Sequence, residues 1–218
     1  MSTAKPSTPA QAPPPANPSQ LKPELHSPAV GSVWFRFVRA AHPLPLGVGN
    51  GASRFSDPEV RAGRFPRFRP LYLGASFGVC FLETVLRDAA NGKPGDWPLT
   101  IAELRLWTCA VITVAAPISL VDLRGDAAVR VRVPSDALRA ADHHSLGQAW
   151  AAAFWAHPEM PDGLAYHSRL NSEECLAIYT DEIRPASPRL VCLRRTSLLD
   201  MTKHLNEALD RFNIALLD

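Results

Sequence analysis

Apolar and polar positions divide the chain into short runs, and the period of each run predicts its element. "VWFRFVR" (33–39) is β-branched and aromatic and predicts the first strand. The stretch 40–70 carries Gly and Pro too often for a continuous helix or a central strand. "LYLG" (71–74) then predicts a short strand, and "SFGVCFLETVLRDAANG" (76–92) a helix stopped by Gly92. "LTIAELRLWTCAVITVAA" (99–116) predicts one long strand or two short ones, and "ISLVDL" (118–123) another. "PSDALRAADHHSLGQAWAAAFWAHP" (134–158) predicts helix, with a break at His143–His144. Further strands are predicted in "GLAYHSRL" (163–170), "ECLAIYT" (174–180) and "RLVCLRR" (189–195). Leu198, Leu205, Leu209 and Phe212 then recur at helical spacing. Strands and helices mix without a βαβ alternation, so the predicted class is α+β: mixed, mainly antiparallel sheets with flanking helices.

Composition changes the picture at the N-terminus. Residues 1–28 hold eight of the 21 prolines and no aromatic residue, which predicts a disordered or polyproline tail over 1–29 and a folded domain over 30–218. The whole chain is 46% hydrophobic and 20% charged, enough apolar residue for a sizeable core. A net charge of +2 is too small to make nucleic acid or an anionic membrane the default partner. Cys80, Cys109, Cys175 and Cys192 form no CxxC pair and are expected to be small buried hydrophobes in a reducing, cytoplasmic setting. No charged-then-apolar leader opens the chain, and no apolar run reaches the roughly eighteen residues of a membrane span.

Several chemistries lack their residues. No GxGxxG follows a strand, and GxxxxGK[ST] and HExxH are absent. Adjacent His143 and His144 do not have metal-ligand spacing, so no metal site is expected. His167 and Ser168 point to opposite faces of a strand and cannot pair as base and nucleophile. On that alternation Tyr166 and Ser168 share one face, and His167 and Arg169 the other.

Two features remain. Five arginines fall between Arg54 and Arg69, interleaved with Phe55, Phe65 and Phe68. Such a loop suits single-stranded nucleic acid, a solvated surface with anchored rings, or a compact site where guanidiniums hold a pyrophosphate. The low net charge favours the last two. The second feature is Glu83, at the edge of the apolar stripe Val79, Leu82, Leu86 and Ala90, with Arg87 one turn on. By helix pattern alone this is an exposed i,i+4 pair.

The order of "VWFRFVR", "GASRFSDP", "PLYLGASFGVCFLETVLRD" and "LAYHSRLNSEECLAIY" resembles the RES-domain family, named for an arginine, a glutamate and a serine. The resemblance implies an ADP-ribosyltransferase-like fold and an enzyme that consumes NAD as substrate, without a cofactor. It also implies, for toxin members, an antitoxin partner with a helix-turn-helix region. Carried over by position, Arg36, Arg54, Tyr72 and Ser168 are the implied NAD-binding residues, with Glu83, Arg54 and Tyr72 the catalytic set. Ser56 stands where the family usually shows Asn, and "VRAGRFP" lengthens the interval from Arg54 to Tyr72.

Chemistry fits one carboxylate. Nicotinamide leaves a ribose as a neutral base, so no general acid is needed, unlike ordinary glycoside hydrolysis. A carboxylate about 4 Å from the developing cation interacts by roughly 4 kcal/mol at an effective dielectric near 20. Each ~1.4 kcal/mol realised only in the transition state is tenfold in rate. The acceptor stays open between inorganic phosphate, water and a protein, with Arg39, Arg61 and Arg64 as unranked second-anion candidates. A non-enzymatic module binding nucleic acid or protein through the basic loop is the alternative.

Overall fold

The computed structural model describes residues 12–87, 97–140 and 144–218. In chain order the strands and helices are β1 (Leu25–His26), β2 (Val33–Arg39), β3 (Arg69–Gly74), α1 (Phe77–Phe81), β4 (Trp97–Thr100), α2 (Ile101–Arg105), β5 (Trp107–Val114) and β6 (Leu120–Asp122). They continue with α3 (Gly125–Arg130), α4 (Ser135–Arg139), α5 (Ser145–Trp155), β7 (Gly163–His167), β8 (Glu174–Thr180), β9 (Leu190–Ser197), α6 (Thr202–Arg211) and β10 (Ile214–Leu217). Among the described residues these make an eight-stranded sheet ordered β1-β6-β7-β8-β3-β2-β5-β9 and a two-stranded parallel pair, β10-β4. In the large sheet only the β6–β7 pair is parallel. The α+β class read from the sequence is the class of the fold.

The sheet is continuous but pinched. β2 runs the length of β5 in antiparallel register, and β3 the length of β8. β2 and β3 meet at one pair, Phe35 opposite Gly74, and then part. A cavity opens in this split.

Period-2 alternation sends side chains of each half to opposite cores. Leu71, Leu73, Ile112, Leu176 and Ile178 fill one face. On the other, Trp150, Ala151 and Phe154 of α5 pack on Leu164, Tyr166, Ala177 and Tyr179. Beside them, α1 and α6 pack on Phe37 and Cys109. Cys80, Cys109 and Cys175 are buried, and Cys192 is partly so.

Four sequence expectations change. The tail expected over 1–29 is ordered from residue 12, because a few anchors offset its composition. Leu21 is 7% exposed in the core, β1 adds antiparallel to β6, and Trp150 donates to the Ala12 carbonyl. Residues 1–11 lie outside the described residues. The strand expected over 99–116 is interrupted by α2, where Thr100 and Glu103 form a reciprocal capping box. The helix expected over 76–92 ends earlier, at Arg87 with φ 43°; the expected stop at Gly92 lies outside the described residues. Neither α3 nor β10 was foreseen. α4 and α5 flank the expected break, of which His143 lies outside the described residues.

Candidate active site

Glu83 reaches the cavity through an irregular turn. Ser76 caps α1, accepting from Val79 N–H at 3.1 Å, and Phe77, Val79, Cys80 and Phe81 are buried. Gly74 lets strand and helix approach: a Cβ there would lie 2.5 Å from Val79 Cγ1 and 2.8 Å from Cys80 Sγ. The chain then widens into a π-type turn over Leu82–Leu86, closed by Arg87 N–H on the Leu82 carbonyl at 2.6 Å. Such turns insert an extra residue into the helical screw and recur at functional sites. Here both Glu83 and Arg87 line the cavity, in place of an exposed i,i+4 pair.

Ser168 holds the carboxylate. Its hydroxyl donates to Glu83 Oε1 at 2.6 Å and accepts from Leu170 N–H at 3.1 Å. It is fully buried, behind Glu83 rather than at the cavity surface. β7 ends at His167, and a turn closed by Ser168 N–H on the Glu173 carbonyl (2.8 Å) leads into β8. Strand alternation therefore stops one residue before Ser168. Arg169, expected on the far face, lines the cavity.

Arg54 enters from the opposite wall, on a segment without helix or strand. Tyr72 contributes its ring to the cavity lining and its hydroxyl to this loop, accepting from Phe55 N–H at 3.1 Å and bonding Ser53 Oγ at 2.9 Å. Ser56 closes the loop on itself, donating to the Ser53 carbonyl and accepting from Ser53 N–H, both at 3.0 Å. Arg36 sits in the split between β2 and β3, where its two terminal nitrogens donate to the carbonyls of Tyr72 (3.2 Å) and Gly47 (2.7 Å). Its fork is thus spent on β3 and on the loop that follows β2.

The cavity holds about 320 Å³, at the small end of ligand sites. Its charged lining is Arg36, Arg54, Arg87, Arg169 and Glu83, with His144 at one margin. Burial lowers the Arg36 pKa to about 10, leaving it charged at neutral pH. Burial and the Arg54 guanidinium pull Arg169 down, with Glu83 pushing the other way. Burial raises Tyr72 and Tyr166, so both remain phenols. It also pushes Cys175 up to about 12, against a nucleophilic role. Among the described residues the site is a cationic cavity with one carboxylate, suited to a ligand that carries both anionic oxygens and a positive centre.

The structure brings Arg36, Arg54, Tyr72 and Glu83 to one cavity and sets Ser168 against Glu83. Arg39, Arg61 and Arg64 do not line it. Arg39 lies over the Trp107 ring at 3.9 Å, Arg61 is exposed, and Arg64 pairs with Glu59. Arg87 and Arg169 line it instead. Sequence reasoning missed Arg169 because it extended the strand too far, and missed Ser53 and Gln148 because nothing local marks them.

A family model described as the RES domain matches residues 31–198. The curated protein "Probable toxin y4kH" of Sinorhizobium fredii is 40% identical over 129 residues, 59% of this chain and 98% of that protein. Among solved structures, the crystal structure of the M. tuberculosis MbcT-MbcA toxin-antitoxin complex contains a chain with the same fold. It aligns with a TM-score of 0.60 and 20% identity, covering 81% of this chain and 90% of that one. With the family model spanning β2 to β9 and every residue that lines the cavity, the chain belongs to the RES domain family.

Proposed function

We propose that this protein cleaves the nicotinamide–ribose bond of NAD and passes the ADP-ribosyl group to phosphate or water. The observation that carries the reading is Glu83, held by Ser168 and, among the described residues, the one carboxylate in a cavity whose other charged groups are guanidiniums. Arg54, Arg87 and Arg169 bind the pyrophosphate, and Arg36 holds the split in which it lies. Tyr72 and Tyr166 present ring surface to the sugar and the base. As the C1′–N bond breaks, its electron pair moves onto the pyridinium nitrogen and nicotinamide leaves neutral. Glu83 stabilises the positive charge that develops on the ribose, and an acceptor oxygen then bonds C1′ and gives up its proton. Phosphate yields ADP-ribose phosphate; water yields ADP-ribose.

The relative named as a toxin and the toxin–antitoxin complex of like fold support a toxin role, with an antitoxin as partner. A cytoplasmic site of action follows from where NAD is available. The test is to incubate the purified protein with NAD, with and without phosphate, and identify products by mass. Nicotinamide release with ADP-ribose phosphate or ADP-ribose is expected. NAD that binds but yields no nicotinamide overturns the reading, and a mass increment on an added protein makes protein the acceptor.

A further inference from the structure

Arg54 stands on a loop that no ladder holds; Phe55 beside it is buried against Tyr166, and the loop's other anchors are polar bonds. Three carriers emerge: Tyr72, Ser56 and Gln148. Gln148 is on α5, 92 residues beyond Ser56, and is 1% exposed. Its Nε2 donates to the Ser53 carbonyl at 2.8 Å and to Ser56 Oγ at 3.1 Å, one bond on either side of Arg54. The carbonyl can only accept, which fixes the amide's orientation. α5 also touches Arg54 directly: a Cβ on Gly147 would stand 2.7 Å from the Arg54 carbonyl oxygen and 2.7 Å from that of Ala137. Arg54 Nε is buried without a hydrogen bond of its own, its guanidinium lies 5.9 Å from the Phe55 ring centroid, and a Cβ on Gly147 would stand 3.0 Å from its Cγ.

We infer that Gln148 is a positioning residue: it clamps Ser53 and Ser56 and so aims Arg54 at the bound anion. The inference rests on the function proposed above. Released from Gln148, the loop keeps its bonds to Tyr72 and between Ser53 and Ser56 but loses its tie to α5, and the guanidinium swings. Misplacement by about 1 Å at a reacting complex can cost up to 10²-fold.

The test replaces Gln148 with methionine, which keeps volume and removes the donor. In the full chain Gln148→Met should lower kcat/KM for NAD about tenfold, one clamp at ~1.4 kcal/mol. In an Arg54→Ala background the same change should have no further effect, since Gln148 acts through Arg54. An equal loss in both backgrounds, or wild-type kcat/KM with only a lower Tm, overturns the inference. Amide exchange of Ser53, Phe55 and Ser56 gives a second readout that does not depend on turnover. It should quicken in Gln148→Met while the sheet is unchanged; wild-type exchange there overturns the clamp even if the protein proves inactive on NAD. If Gln148→Met does not fold, Ser56→Ala removes one leg of the clamp and should move both readouts in the same direction. Wild-type turnover and exchange in Ser56→Ala likewise overturn it.

Discussion

Glu83 and Arg54 face the same cavity from walls held in different ways. On the Glu83 wall, α1 buries four consecutive-turn apolar side chains, and the carboxylate is fixed by one short bond from a buried serine. On the Arg54 wall there is no helix or strand; one ring, Phe55, is buried against Tyr166, and the rest of the loop is fixed by polar bonds from Tyr72, Ser56 and Gln148. The first wall is stiffened by packing, whose cost of deformation is spread over many atoms. The second is stiffened by a few directional bonds, each worth about 0.5–1.5 kcal/mol net. Substitutions in the first wall should therefore act on chemistry with little loosening, and those in the second should act on geometry.

The sharpest separation of the walls is Glu83→Gln, which keeps shape and removes charge. We expect kcat for NAD cleavage to fall by about 10²–10³-fold, the range for deleting one electrostatic stabiliser of a transition state. Binding of ADP-ribose, which lacks the cationic base, should hold within a few fold by calorimetry. Near-wild-type kcat would remove Glu83 from the chemistry.

The far end of the Arg54 loop is anchored by a charge. Asp57 has no exposed side-chain surface and accepts from Arg67 through N–H, Nε and Nη2 at 2.7–2.9 Å. Burial pushes its pKa up, but the hydrogen bonds from Arg67 outweigh this and hold it below the usual carboxylate value. A depressed folded pKa gives stability that is present above the unfolded value, about 3.9. It is lost as pH falls through the folded one. Wild-type Tm should thus drop below about pH 4. Asp57→Asn should lower Tm at pH 7 by an amount matching about 2 kcal/mol, the worth of a charge-assisted buried bond. It should also flatten the acid limb of the curve. A Tm–pH profile parallel to wild type would show that this anchor carries no stability.

The same division governs how much could be read before the fold was known. "VWFRFVR", "LYLG" and "ECLAIYT" are strands because a short β-branched, aromatic or apolar run is a local signal, and each lies where its run places it. Glu83 stood out as a charge on an apolar stripe. The π-type turn that carries Arg87 into the cavity is not a period any pattern encodes. Nor does sequence spacing reveal that β2 and β3 share a single pair, which is what makes Arg36 a bridge rather than an anion fork. Gln148 in "SLGQAWAAAFW" reads as an ordinary helical polar residue; its partners are 92 and 95 residues away. The Pro-rich segment misled in the other direction, since average composition hid Leu21 and the pairing of Leu25–His26 with β6.

Ser168→Ala tests whether packing alone keeps Glu83 in place. The variant removes the 2.6 Å bond to the carboxylate and the bond from Leu170 N–H to the same hydroxyl, and leaves the turn's backbone–backbone bonds. A loss of about tenfold in kcat, equivalent to ~1.4 kcal/mol, is expected with KM for NAD unchanged, because Ser168 is buried behind Glu83. A rise in KM with unchanged kcat would instead make Ser168 a ligand contact.

Tyr72→Phe is the smallest perturbation, and it addresses the other wall. It keeps the ring that lines the cavity and removes the hydroxyl that accepts from Phe55 and meets Ser53. Gln148 and Ser56 still hold the loop, so a loss of about threefold in kcat/KM is expected, under the ~1.4 kcal/mol that makes tenfold. Combined with Gln148→Met, the loss should exceed the product of the two single losses, because the loop then keeps only its internal Ser53–Ser56 bonds and the buried Phe55 ring. Simple multiplication would mean that Tyr72 and Gln148 do not share a loop energetically, and the Arg54 wall would then be held by packing as the Glu83 wall is.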